Sequence, residues 1–172
     1  MICDNNLLAA SRIHIERVVD RLKVFPMVDF NQGLEARRFT PEIADLLGNL
    51  RCKVRFAFDH VNYESQVKAA VDLCRKRTTR SIGIYVLIGF NDTPADAKYR
   101  LDLVKSWGID PNPMRFQPLD AKKKNEYIGS GWTNLELFKM QEYYSQLRFL
   151  RAVPYDEFRV RENVSESQIG LF

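Results

Sequence analysis

Four strand-like segments of this chain end in polar residues, and most of them lead into a helix-like segment. They are Phe30-Asn31-Gln32-Gly33-Leu34-Glu35-Ala36-Arg37, Val54-Arg55-Phe56-Ala57-Phe58-Asp59-His60, Ile82-Gly83-Ile84-Tyr85-Val86-Leu87-Ile88-Gly89-Phe90-Asn91-Asp92, and Met114-Arg115-Phe116-Gln117-Pro118-Leu119-Asp120. Strands alternating with helices argue for a parallel sheet with right-handed crossovers. The third segment is apolar along most of its length, as a sheet covered on both faces requires. In such architectures ligands bind at the carboxyl ends of strands, so the polar ends converge on one rim and mark a ligand site. An eight-unit barrel needs about 250 residues, and this chain has 172. The expected fold is α/β: an open parallel sheet with helices outside, a partial (β/α) barrel.

The helices carry their own punctuation. Ile15, Val18, Val19 and Leu22 fall on one helical stripe after Ser11, a good N-cap. Thr40-Pro41-Glu42 opens a helix to about Leu50, and Thr93-Pro94-Ala95-Asp96 opens another that stops near Trp107-Gly108. Val67, Ala70, Val71 and Cys74 share a face within Tyr63 to Arg75. Thr133-Asn134-Leu135-Glu136 is a capping box for a last helix, about 134 to 149. Residues 1–150 therefore read as the barrel-like domain and 151–172 as a weakly structured C-terminal extension.

Composition narrows the class. No apolar run approaches the roughly 18–20 residues of a membrane span, and Met1-Ile2-Cys3-Asp4-Asn5-Asn6 lacks the regions of a signal peptide. The expectation is a cytoplasmic protein. Cys3, Cys52 and Cys74 are too far apart for a disulfide framework or a CxxC-type metal site. The net charge of +4 permits an anionic partner such as nucleic acid without indicating one. Lys122-Lys123-Lys124 reads as a solvated loop and His14 as a solvated side chain. Tyr127, Trp132, Phe138, Tyr143 and Tyr144 read as core or cover rather than a base-stacking platform. Asp4-Asn5-Asn6 resembles a polar strand end preceded only by Met1-Ile2-Cys3, so the chain reads as though it begins at the exit of a strand.

Five segments in order carry a resemblance: Asp4-Asn5-Asn6-Leu7-Leu8, Val28 to Arg37, Arg55-Phe56-Ala57-Phe58-Asp59, Val86 to Pro94, and Pro113 to Asp120. Together they resemble the later part of a radical S-adenosylmethionine (radical SAM) domain, over about residues 4 to 120. The resemblance implies a six-unit partial barrel whose CxxxCxxC loop would hold a 4Fe–4S cluster through three thiolates. Such an enzyme is an Fe–S oxidoreductase-type protein that cleaves S-adenosylmethionine to a 5′-deoxyadenosyl radical. This sequence has no CxxxCxxC. The resemblance thus implies a fragment without the cluster segment, expected to be inactive alone and to take up no cluster, while its parent uses both S-adenosylmethionine and iron–sulfur.

Residue by residue, the resemblance puts Asp4, Asn5 and Asn6 near the methionine amino group. It puts Asp59 against the ribose, where a carboxylate can accept hydroxyl hydrogen bonds. Leu87, Gly89 and Asp92 fall on the motif that backs the adenine, with Tyr85 in place of its first Gly and Asp92 in place of its Glu. Gln32 and Arg37 come from the third family strand, and an Arg there could hold a carboxylate bidentately. Each residue also has a plainer reading. Asp59-His60 could end a strand and cap the next helix, Gln32 and Arg37 could satisfy backbone or ion pairs, and Gly89 to Asp92 could serve chain reversal.

Two other functions fit the residues. One is a small self-contained lyase or isomerase using Asp59 and His60 as an acid–base pair. The other is a non-enzymatic binding module using the basic charge and the aromatic last helix. Further expectations are that Gln32, Arg37, Asp59, His60 and Gly89 face one cleft, that Phe56 and Phe58 lie opposite Ala57 and Asp59, and that strand Phe30 to Ala36 is an association edge giving a dimer or larger oligomer.

Overall fold

The first helix, α1 (Arg12–Leu22), starts where Ser11 Oγ accepts the His14 N–H at 3.3 Å. It buries Ile15, Val19 and Leu22 on one stripe and leaves His14 exposed. A computed structural model describes residues 6–77, 81–145 and 153–160. The chain divides into two compact units, Met1–Tyr85 and Val86–Phe172.

In the first unit, β1 (Val28–Asp29) pairs in parallel with β2 (Cys52–Phe58), Val28 opposite Cys52 and Asp29 opposite Lys53. The expected strand over Phe30 to Ala36 is not continuous. The Phe30 N–H still donates to the Lys53 carbonyl, but Asn31-Gln32-Gly33 then leaves the ladder as a turn with Gly33 at φ +83°. Turn-forming residues outweigh strand pairing at this point. The chain rejoins at Leu34, opposite Phe56, and a short 3-10 turn follows at Ala36–Arg38.

Helix α2 (Pro41–Gly48) has the expected cap, Thr40 Oγ1 accepting the Ile43 N–H at 3.4 Å. Helix α3 (Glu64–Arg77) buries Val67, Ala70, Val71 and Cys74 and packs on β2. Along β2 burial alternates: Cys52, Val54, Phe56 and Phe58 are buried, Arg55 and Ala57 half-buried. Phe56 and Phe58 therefore do lie opposite Ala57, and Phe39 meets Phe56 edge-on with ring centres 4.9 Å apart. The face that packs against α3 is the apolar one.

Strand β3 (Ile82–Ile88) closes the first unit and opens the second. It buries Ile84, Val86 and Ile88 and leaves Gly83, Tyr85 and Leu87 half-buried. It ends four residues before Asp92, where the apolar run gives way to a turn. Helix α4 (Pro94–Ser106) carries the complete Thr93/Asp96 capping box. Strand β4 spans Pro111–Arg115, earlier than the expected 114–120. Its two prolines cannot donate ladder hydrogen bonds, which suits an outermost strand, and β4 is last in the sheet order β1-β2-β3-β4. Among the described residues, the open, all-parallel sheet and five α-helices have the expected fold class, a partial α/β barrel.

Helix α5 (Asn134–Ser145) starts at the Thr133/Glu136 box and packs against β4 and α4. Expected helix residues 146–149 lie outside the described residues. Tyr143 and Tyr144 are buried, as expected of core aromatics. The Tyr144 hydroxyl donates to Asp102 at 2.8 Å, and burial together with that bond pushes its pKa up. Of the C-terminal extension, residues 153–160 are described. Tyr155 and Phe158 pack edge-on to Tyr143, and the Lys139 ammonium lies 4.7 Å from the Tyr155 ring centre. Among the described residues no helix is long and apolar enough to cross a membrane.

Candidate functional site

The second unit holds the turn after β3, Gly89 to Asp92, and Asp92 organises it. Its Oδ1 accepts the backbone N–H groups of Gly89 (3.0 Å) and Phe90 (3.1 Å). Its Oδ2 pairs with Arg100 of α4, and its carbonyl accepts the Trp132 indole N–H at 2.7 Å. The Arg100 side chain is 0% exposed and that of Asp92 6%. A buried charge pair this well hydrogen-bonded holds its geometry, because loss of either partner strands the other in a dry site.

The turn is sterically closed as well. Gly89 has φ +80°, and a Cβ there would lie 2.6 Å from Leu137 Cδ2. A Cβ on Gly129 would lie 2.6 Å from the Gly89 carbonyl oxygen, so the two backbone segments touch. Phe90 stacks on Phe116 with centres 4.1 Å apart, and Phe116 meets Tyr127 edge-on at 4.9 Å. Beside them Arg115 donates from Nη1 to Asn134 Oδ1 and from Nη2 to the Tyr127 carbonyl, each at 2.9 Å. Burial pulls its pKa down. Leu87 stands on the half-buried side of β3, opposite Val86 and Ile88.

The first unit holds the other expected site residues. Asp4 and Asn5 lie outside the described residues. The Asn6 side-chain amide donates to Glu35 Oε2 at 2.9 Å. Glu35 also pairs with Arg37 (2.5 Å) and Arg38 (3.0 Å). The Asn6 bond first, and then these two cations, hold the Glu35 carboxyl below its ordinary pKa. The Arg37 guanidinium lies 5.0 Å from the Tyr63 ring centre. Asn6 and Arg37 thus meet at Glu35, while Gln32 is exposed in the preceding turn. Asp59 is exposed just past β2. His60 Nδ1 accepts the Asn62 N–H at 3.2 Å and caps the 3-10 turn Val61–Tyr63.

Two groups escaped sequence reasoning. On the half-buried face of the first unit, Arg55 Nη1 pairs with Asp29 Oδ1, and the Arg55 guanidinium lies 5.8 Å from the Tyr85 ring centre. The Tyr85 hydroxyl donates to Asn31 Oδ1 at 3.1 Å. The signal was the alternation of Lys53, Arg55 and Ala57 with buried residues along β2. Arg100 had a signal too. It shares the stripe of Ala97, Leu101 and Val104, and an arginine inside an apolar stripe calls for a buried acid.

The cluster implied by the resemblance needs converging thiolates. Cys52 opens β2 and Cys74 lies in α3, both buried, and Cys3 lies outside the described residues. Among the described residues no three His, Cys, Asp or Glu side chains gather as a metal site. The described residues therefore do not fit a cluster. No protein-family model matches the chain, and no curated protein matches it.

Proposed function

We propose that this chain is the later part of a radical S-adenosylmethionine domain, a binding scaffold that is not catalytic by itself. The supporting observation is positional. Parallel strands β1, β2 and β3 are each followed by the segment that carries the resemblance: Gln32 to Arg37 after β1, Asp59-His60 after β2, and Gly89 to Asp92 after β3. Carboxyl ends of parallel strands are where α/β folds bind ligands. The cluster and S-adenosylmethionine supply radical chemistry in a complete domain of this kind. The described residues here do not hold the cluster, so no step is routed through it.

What this chain's residues contribute is binding. Asp59, exposed past β2, can accept from ribose hydroxyls. The Gly89–Asp92 turn offers a fixed edge, its N–H groups of Gly89 and Phe90 already bound to Asp92. Arg37 is tied to Glu35 and Tyr63, so a ligand carboxylate must compete with Glu35 for it. Without an iron anchor for the methionine end, the affinity is about millimolar, on the order of 4 kcal/mol.

Titration of the chain with S-adenosylmethionine, followed by amide NMR, tests this reading. The expected result is saturable shifts at Asp59 and at Gly89 to Asp92, weakened in Asp59→Ala. No shift at these positions up to about 10 mM would overturn it, as would binding indifferent to Asp59→Ala.

A further inference from the structure

We propose that the half-buried sheet face of the first unit is a binding site for a neutral polyhydroxylated small molecule, held by Asp29, Asn31, Arg55 and Tyr85. Asp29, Asn31 and Arg55 lie in segments that carry the resemblance, and Tyr85 stands where the adenine motif has its first Gly, but none is assigned a contact to S-adenosylmethionine, and the proposal stands without that reading.

The placement follows from strand register. Asp29 stands opposite Lys53, and Arg55 is two residues further along β2, so both side chains emerge on the same face. Tyr85 stands on the corresponding half-buried face of β3. The floor beneath them is small. A Cβ on Gly83 would lie 3.3 Å from Arg55 Cγ, so the arginine stem lies directly over that glycine. The Tyr85 ring lies over Gly33 in the same way, 3.6 Å from where its Cβ would be and with Ala57 adjoining. The small residues let the arginine stem and the tyrosine ring lie close to the sheet, with the polar heads of Arg55, Asp29, Tyr85 and Asn31 at their ends.

The polar heads are only partly used. Arg55 Nη1 goes to Asp29 Oδ1 and the Tyr85 hydroxyl to Asn31 Oδ1. Asp29 Oδ2, Arg55 Nε and Nη2, and Asn31 Nδ2 have no protein partner among the described residues. The Arg55 and Asp29 side chains keep 20% and 28% of their exposure, so the pair is not sealed from solvent. Two donor-bearing groups and one acceptor therefore stand side by side around an ion pair of zero net charge. A hydroxyl both donates and accepts, so two adjacent hydroxyls satisfy the carboxylate oxygen and the N–H groups together. An anion would meet Asp29 and a cation Arg55, each at an electrostatic penalty. The Tyr85 ring adds an apolar face for the carbon skeleton, which is the usual division of labour in a small-molecule site.

The test is NMR titration of the full chain with myo-inositol and, separately, D-ribose, reading the Arg55 Nε and Asn31 side-chain amide signals, with acetate and glycine as controls. The expected result is saturable shifts with a polyol at both signals, none with acetate or glycine, and about tenfold weaker binding in Asn31→Ala, the loss typical of one hydrogen bond to a ligand. Tyr85→Phe is the second variant. It keeps the ring over Gly33, loses the bond to Asn31, and is expected to weaken binding less than Asn31→Ala does. Absence of saturable shifts with both polyols overturns the proposal. So do equal shifts with acetate or glycine, or undiminished binding in Asn31→Ala.

Discussion

The turn after β3 and the segments after β1 and β2 occupy equivalent places in the βα pattern, yet they are built by opposite means. The Gly89–Asp92 turn is bolted from inside: a fully buried arginine, a buried carboxylate, an indole N–H and a glycine pressed against Leu137. The Glu35–Arg37 and Asp59–His60 segments are held from outside. Their ties include ion pairs with more than half of each arginine exposed, the Asn6 amide on Glu35, a ring contact and a capping bond. Interior bonds are strong because water cannot replace them, and surface ion pairs are weak because it can. In the second unit the fold itself sets the turn. In the first, the segments past the strands remain adjustable, as expected where a ligand rather than the core sets the final geometry.

The largest expected effect that would break this contrast is at Arg100. Arg100→Ala leaves the Asp92 carboxylate buried and unpaired, and a loss of about 3–5 kcal/mol is expected in denaturant unfolding. Gly89→Ala comes next, at about 2–4 kcal/mol, because alanine is strained at φ +80° and its methyl meets Leu137. Trp132→Phe keeps most of the volume but removes the donor to the Asp92 carbonyl, for about 1–2 kcal/mol. Arg37→Ala is expected to stay within about 0.5 kcal/mol. A loss at Arg37 as large as that at Arg100 would erase the distinction between the two regions.

The smallest effect is a pH dependence. Glu35 has its folded pKa below the ordinary 4.5, chiefly through the Asn6 amide. A depressed carboxyl pKa means the unfolded chain binds the proton more readily. Its contribution is therefore complete above about 4.5 and is lost as pH falls through the lower folded value. NMR titration of the Glu35 carboxyl and the Asn6 side-chain amide should show both signals moving together below pH 4.5. In Asn6→Ala the Glu35 midpoint should rise toward that value.

Much of the architecture was legible because its signals are local. Ser11, Thr40, Thr93 and Thr133 start helices through their own side chains, and Val67 to Cys74 declare a buried face by spacing alone. The parallel order of the strands followed from alternation with those helices. What escaped depends on partners distant in sequence. The break at Asn31-Gln32-Gly33 sits inside a run that otherwise alternates like a strand, and only the pairing with β2 shows the chain leaving and rejoining at Leu34. Asp92 read as a ligand residue by its motif position. Its actual bonds go to Arg100 and Trp132, eight and 40 residues away. The Asp29–Arg55–Tyr85–Asn31 set draws on three strands or their exits, so the alternation along β2 marked a polar face but not the partners gathered on it.

Native-state hydrogen exchange tests the contrast most directly, because it reads both regions in one sample. The Gly89 and Phe90 amides are bound to a buried carboxylate, and the Asn62 amide to the exposed-side cap of His60. The expected result is slow exchange at Gly89 and Phe90, approaching the rate set by global unfolding, and exchange at Asn62 faster by about two orders of magnitude or more. In Arg100→Ala the protection at Gly89 and Phe90 should collapse toward that of Asn62. Equal exchange at all three amides in the unaltered protein would contradict the account.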